Sequence, residues 1–185
     1  MKQLDTALDR LPPQNIEAEQ SVLASVLLEN ETLSSVAEIL IPDDFYKNSH
    51  KKIFQSMLDL YSKGEPIDLI TLTEQLSKKE ILEEVGGASY LSSIVNQVPT
   101  SANIKYHSKI VKEKSILRNL IRTATDIVSM TYDEEIEVND LLDRAETKIF
   151  SISEKMVKGT LVHVKDVLKD TIELVDKLYN KKEFI

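Results

Sequence analysis

The 185-residue sequence predicts an all-α chain, and three observations carry that reading. Apolar residues recur at three- and four-residue steps almost throughout, whereas the strict alternation of a half-buried strand is hard to find. Glycine and proline number only four and five, and each stands where a helix should stop. Between Asn103 and Thr131 neither occurs, which leaves room for one helix about 43 Å long. The expected architecture is a flexible tail (1–14), a compact multi-helix globular head (15–102), a long antiparallel helical hairpin (103–155), and a connector with a separate linker helix (156–185).

The elements follow from local chemistry. Pro12-Pro13 stiffens the entry to the first helix, and Asn15 is placed to cap it by accepting a free backbone N–H. Glu17 and Glu19 suit its positive end, and Val22, Leu23, Val26 and Leu27 form its buried face. A short helix over about Thr32–Leu40 ends at Pro42. Ser49 opens the next, with an apolar stripe of Ile53, Phe54, Met57, Leu58 and Tyr61, and Gly64 ends it because glycine tolerates the left-handed conformation after a helix. Pro66-Ile67-Asp68 turns the chain into a helix with Leu69, Leu72 and Leu76. A turn over Glu80–Val85 leads to Gly86-Gly87, and Tyr90, Leu91, Ile94 and Val95 lie on a further helix before Pro99. In the hairpin, Ile110, Leu117, Leu120, Ile121, Ala124, Ile127 and Val128 form one stripe, Asp133–Glu137 reverses the chain, and Val138, Leu141, Leu142, Ala145, Ile149 and Ile152 answer it. Two such helices bury one stripe on each other and offer the rest to a partner. A last helix spans about Val164–Tyr179; at ~16 residues it is marginal alone and needs something to pack against.

Composition removes several function classes. With 42% hydrophobic and 29% charged residues the chain is of ordinary globular type. No cysteine is present, so disulfides, thiolate zinc sites and thiol nucleophiles are excluded. The first residues lack the apolar core of a secretory signal, and no apolar run approaches the ~20 residues that span a bilayer, so a cytoplasmic chain without membrane contact is expected. His50, His107 and His163 stand far apart without paired ligands, so no metal site is expected. There is no G-x-S-x-G elbow and no G-x-x-x-x-G-K-[ST] phosphate loop, and Gly86-Gly87 reads as a turn between helices. The acidic pairs Asp43-Asp44 and Glu83-Glu84, next to helix ends, read as solvated faces rather than acid–base pairs. Neither catalysis nor a cofactor is expected of these residues.

The net charge of −8 argues against whole-surface attraction to a polyanion. Between Asn103 and Thr131, however, Lys105, Lys109, Lys112, Lys114, Arg118 and Arg122 face only Glu113 and Asp126. Lys114, Arg118 and Arg122, spaced i, i+4, i+8, are expected to form one basic ridge, whose like charges repel unless an external anion sits against them. The overall charge favours an acidic neighbour over DNA as that anion.

The order of short motifs adds a resemblance. The run Pro12-Pro13-Gln14-Asn15-Ile16-Glu17-Ala18-Glu19-Gln20-Ser21-Val22-Leu23 resembles the opening of the DnaB-type bacterial replicative helicases. Asp44-Phe45-Tyr46 with His50 and Ile53-Phe54 follows, then Gly64-Glu65-Pro66-Ile67-Asp68, Gly86-Gly87 with Tyr90-Leu91, Pro99 with Ala102-Asn103, and Tyr106 with Lys109-Ile110-Val111. Leu141-Leu142-Asp143, Ala145-Glu146 and Ile149-Phe150 complete the set. Each piece is weak alone, but this order and spacing over Pro12–Leu178 is highly specific, and it looks most like the helicases of low-GC Gram-positive bacteria.

The resemblance implies that an ATP- and magnesium-dependent, DNA-translocating motor domain follows in the parent protein, absent from these residues. It implies that this region forms a collar, assembling with copies of itself from dimer to hexamer and receiving the carboxy-terminal domain of primase, with a helicase loader as a further partner. On that basis Glu17, Tyr90, Ile121 and Ile127 are candidates for primase docking, and Leu168, Val175 and Leu178 for linker-helix packing. Simpler roles stand beside each: helix-dipole support for Glu17, a half-buried core ring for Tyr90, and hairpin core for Ile121 and Ile127. A rival reading is a stand-alone adaptor or loader-type protein; whether the gene continues past Ile185 into a phosphate-loop domain separates the two.

Overall fold

The structure, a computed structural model, describes residues 11–97, 103–133 and 136–157, and all regular structure among them is helical. Seven α-helices follow in order: α1 (Ile16–Leu28), α2 (Thr32–Ala37), α3 (Asn48–Ser62), α4 (Leu69–Lys78), α5 (Gly87–Gln97), α6 (Ile104–Met130) and α7 (Val138–Val157), with a 3-10 turn at Pro42–Asp44. The linker-helix candidates Leu168, Val175 and Leu178 lie outside the described residues.

Helix α1 is the axis of the head. The Asn15 side chain accepts the Ala18 N–H at 3.0 Å, and Glu17 and Glu19 occupy the first turn. Its buried residues run around the helix (Ala18, Glu19, Val22, Leu23, Ala24, Ser25, Val26), because α2, α3, α5 and α6 pack against different sides of it. Ser21 and Ser25 avoid orphaned hydroxyls by donating to the carbonyls of Glu17 and Ser21. Just past α1, the Asn30 amide grips both backbone groups of Ile67 at 2.6 Å, pinning the loop between α3 and α4 to this corner.

Helix α3 buries Ile53, Phe54, Met57 and Leu60, and Phe54 meets Phe45 with ring centroids 5.0 Å apart. Leu60 takes the place that the periodicity assigns to Tyr61, which is 52% exposed. Gly64 (φ 70°) ends α3 in a Schellman turn, the Glu65 N–H reaching the Leu60 carbonyl. The same 6→1 bond, Ile81 to Leu76, ends α4, but there Glu80 adopts the left-handed conformation (φ 59°) that a glycine would take more readily. Asp68 caps α4, accepting the N–H groups of Ile70 and Thr71 at 2.8 Å while the Thr71 hydroxyl accepts the Asp68 N–H.

Helix α6 changes allegiance along its length. Ile104, Ser108, Val111 and Ser115 are buried at successive turns, and Ile104 and Val111 belong to the same core as α1 and α3. The core of the head therefore extends past residue 102 into α6. Beyond Ser115 no described residue of α6 is fully buried, and α6 pairs with α7, with Lys148 and Asp126 bridged at 3.1 Å. The result is a globular head with a hairpin projecting from it.

One buried carboxylate fixes how the two meet. Asp44, 4% exposed, accepts Lys112 Nζ at 2.9 Å and Ser115 Oγ at 2.7 Å from α6, and the Ile41 N–H at 2.9 Å from its own turn. Arg118, one turn further along α6, donates to the backbone carbonyls of Asp44 and Pro13. The expectation that Asp44 belongs to a solvated acidic face is thus corrected. Its partners lie on an element about seventy residues away, beyond the reach of local patterning.

Two outcomes follow from these bonds. Asp44→Asn strands Lys112 and should destabilise the chain by about 2–3 kcal/mol in urea melts, less than a fully buried pair because Lys112 is partly exposed. Adding Lys112→Met should restore part of that loss, and a single-variant loss below ~1 kcal/mol would remove the clasp from any account of stability. The Asp68 carboxyl is held below its ordinary value of 3.8, first by the Thr71 backbone N–H, with the Thr71 hydroxyl and Ile70 N–H adding to it against slight desolvation. A carboxyl lowered by folding stabilises above its unfolded value and loses that contribution as the pH falls through the folded one. Asp68→Ala should therefore lose about 1 kcal/mol near neutrality, with the gap closing as the pH drops below 3.8.

Candidate functional site

A chain of buried polar groups runs from α1 to the surface at the start of α5. Glu19, 1% exposed, accepts the Tyr46 N–H at 2.6 Å on one carboxylate oxygen. Its other oxygen takes the Lys47 N–H at 3.3 Å and His50 Nδ1 at 2.7 Å. Lys47 is the N-cap residue of α3 and has no capping side chain, so Glu19 satisfies from a neighbouring helix the amides at that entry. On the far side of the imidazole, His50 Nε2 lies 2.7 Å from Tyr90 Oη. That oxygen also receives Gln20 Nε2 at 3.4 Å and Lys47 Nζ at 3.1 Å, and the Lys47 ammonium sits 4.7 Å from the centre of the Tyr90 ring.

The direction of each proton follows from counting lone pairs. A carboxylate accepting two amides can only accept from His50, so Nδ1 carries a proton. Tyr90 Oη has two lone pairs, and Lys47 and Gln20 occupy both, so the Tyr90 O–H donates to Nε2. The order carboxylate, imidazole, hydroxyl is that of a nucleophilic triad, but every bonding position of this hydroxyl is used internally. The arrangement holds Tyr90 and Lys47 in place; it does not activate a nucleophile. Gly86 belongs to the same geometry: at φ 105° its Cα approaches so closely that an added Cβ would fall 2.8 Å from Tyr90 Cβ.

A second feature is an open groove of about 1290 Å³ between head and hairpin. Pro12, Pro13, Ile41 and Tyr46 line its head side, and Ile116, Ile121, Val128 and Ile152 its hairpin side. Arg118 crosses it, its guanidinium 5.7 Å from the Tyr46 ring centre. Burial pulls that guanidinium below its ordinary value, while Glu19 and Asp44 nearby oppose the shift. The two buried carboxylates therefore act on one cation.

The candidates read from sequence fall in different places. Glu17 is exposed on the first turn of α1. Tyr90 is half-buried against the core, with its hydroxyl bonded to His50. Ile121 is 51% exposed and wets the groove, so the hairpin-core role does not describe it, whereas Ile127 is half-buried. Lys114, Arg118 and Arg122 do not form one ridge. Arg118 turns into the head, Arg122 donates to Asn119 at 2.7 Å, and Lys114 is half-buried with no ion pair among the described residues. Within the chain, Arg118 faces two backbone carbonyls and the carboxylates of Glu19 and Asp44.

Glu19, His50, Lys47 and Asp44 were not singled out as site residues from the sequence. Two carried a signal: Glu19 is in phase with Val22, Leu23 and Val26, and His50 with Ile53 and Phe54, which places polar groups on buried faces. The hairpin also exposes an unusual amount of apolar surface. Leu117, Leu120 and Val128 on α6 and Val138, Leu142, Ile149 and Phe150 on α7 are each between 43% and 74% exposed.

Comparison with known proteins gives a consistent result. The family model described as the DnaB-like helicase N terminal domain matches residues 11–113, the stretch that holds the head and the buried half of α6. The replicative DNA helicase DnaC of Bacillus subtilis is 52% identical over 178 residues, covering 96% of this chain and 39% of that protein. This chain thus spans about two fifths of the length of such relatives. The N-terminal domain of DnaB helicase from Mycobacterium tuberculosis superimposes with a TM-score of 0.73 at 40% identity, covering 76% of this chain and 99% of that one. A DnaB-like replicative helicase, solved with its interactions with primase as a subject, superimposes with a TM-score of 0.63 at 25% identity over 86% of this chain and 35% of that one. The all-helical head and the motif order that first suggested the resemblance now have matching sequence and matching structures behind them: the chain belongs to the family of DnaB-like helicase N-terminal domains.

Proposed function

We propose that this chain works as the amino-terminal collar of a bacterial replicative DNA helicase, associating with copies of itself through the hairpin and receiving primase on the head and the adjoining hairpin face. The observation that carries the first part is the exposed apolar stripe of α6 and α7. A row of Leu117, Leu120, Val128, Val138, Leu142, Ile149 and Phe150 facing water is the kind of surface that marks a protein contact. The groove beside Ile121 continues that surface toward the head. Family membership and the primase interactions named for a structural relative support the second part. In this reading Glu17, Tyr90, Ile121 and Ile127 face the docked primase domain. ATP-dependent unwinding, with its magnesium, belongs to the remainder of a cytoplasmic parent protein, and a loader is a further partner.

Sedimentation over a range of concentrations tests association. The chain should form a reversible dimer or larger species, and Leu142→Glu with Phe150→Glu should shift it to monomer with unchanged helicity. Calorimetric titration with the cognate primase carboxy-terminal domain tests docking. Glu17→Ala and Ile121→Ala, both surface changes, should each weaken binding by roughly 5- to 10-fold. A chain that stays monomeric at every accessible concentration and gives no heat with primase would sink the proposal.

A further inference from the structure

We infer that Lys47 is the charged contact of the docking surface, held in place by the buried Glu19–His50–Tyr90 chain so that it can receive an acidic side chain of the docked protein. This deepens the primase-docking reading above and rests on it.

The inference starts from what the other lysines of the head do. Lys51 pairs with Asp43, Lys52 with Glu84, Lys78 with Glu74, Lys79 with Asp59 and Lys112 with Asp44, while Lys63 donates to the Gln75 side-chain oxygen at 3.5 Å. Lys47, like Lys63, has no carboxylate within ion-pair distance among the described residues, and it is Lys47 that rests against an aromatic ring. Its ammonium gives one hydrogen bond to Tyr90 Oη and covers the face of the Tyr90 ring, and the residue is exposed. An ammonium has three N–H donors, so the remainder point away from Tyr90. A free lysine samples many rotamers and loses side-chain entropy on being fixed by a partner. Here much of that ordering is already present in the unbound chain, the usual basis of a preorganised contact.

The support beneath Lys47 explains why Tyr90 cannot itself be the polar contact. Its hydroxyl donates to His50 and accepts twice, which leaves it no bonding position for a partner. Gly86 leaves the space in which the Tyr90 side chain stands. The Glu19 carboxylate locks His50 and also holds the Lys47 backbone, so both ends of the lysine are set by one buried residue.

Binding of the whole chain to the primase carboxy-terminal domain, measured by anisotropy at low and high salt, tests the inference. Lys47→Glu should weaken binding by about 10-fold or more at low salt and flatten the salt dependence, with helicity and melting temperature unchanged. Lys47→Arg keeps the charge and the stacking and should stay within about 3-fold of the parent. Binding by Lys47→Glu equal to the parent, or a loss that is the same at both salt concentrations, overturns the role of Lys47 and leaves the docking reading standing. No binding by the parent chain overturns both.

Discussion

The placement of the hairpin depends on one buried carboxylate, Asp44. A carboxylate removed from water is expensive unless each oxygen finds a donor, and Asp44 finds three: an ammonium, a hydroxyl and an amide. Two of those donors are on α6, four residues or fewer apart, so the bonds set both the height and the rotation of that helix against the head. Arg118 adds a third tie one turn on and also secures Pro13 at the entry to α1. A partner that touches Glu17 on the head and Ile121 on the hairpin therefore meets two surfaces at a fixed spacing.

Glu19 repeats the strategy in a different place. It joins α1 to the start of α3 by accepting the Tyr46 and Lys47 N–H groups, and through His50 it extends to α5. Both buried acids satisfy groups that would otherwise be orphaned, and both act on Arg118. Neither is a general acid or base. Their chemistry is positional: a low-dielectric interior makes a satisfied charge a strong constraint on geometry and an unsatisfied one a severe penalty. Among the described residues the buried side-chain polar atom without a partner is Ser108 Oγ, a neutral group whose isolation is far less costly than a charge would be.

The fold was legible in the sequence wherever a rule acts over a few residues. Asn15 as a cap, Gly64 as a stop, Gly86-Gly87 as a turn between helices, and the uninterrupted span of α6 are all local decisions, and the structure makes them as read. Periodicity also identified faces, but it does not say what a face meets. The stripe from Leu117 to Val128 looked like one continuous seam with the residues before it. In the structure α6 buries Ile104, Ser108, Val111 and Ser115 against the head and then passes to a looser pairing with α7. The failures are of the same origin. Asp44 and Arg118 read as surface charges because their side-chain partners across the fold lie 68 or more residues away, and Glu80 takes a conformation that sequence assigns to glycine. For Glu19 the reading was incomplete: its place in the first turn suits the helix dipole, and the same side chain is also the start of the polar chain to Tyr90.

The contrast between the two halves of α6 bears on function. The head closes its own core around Phe45, Phe54 and Leu23. The hairpin does not. Two helices alone bury one stripe each, and no described residue of α7 is fully buried, so much of its apolar surface stays wet. A structure of this kind is most stable when something covers the second stripe, and a symmetric copy offers the same stripe in return. A rigid head attached through Asp44 to a hairpin that seeks its like would carry the head's polar contacts to a defined place in any assembly. If the chain works as proposed, the clasp, the exposed stripe and the lysine form one device, in which association positions the surface that receives the partner.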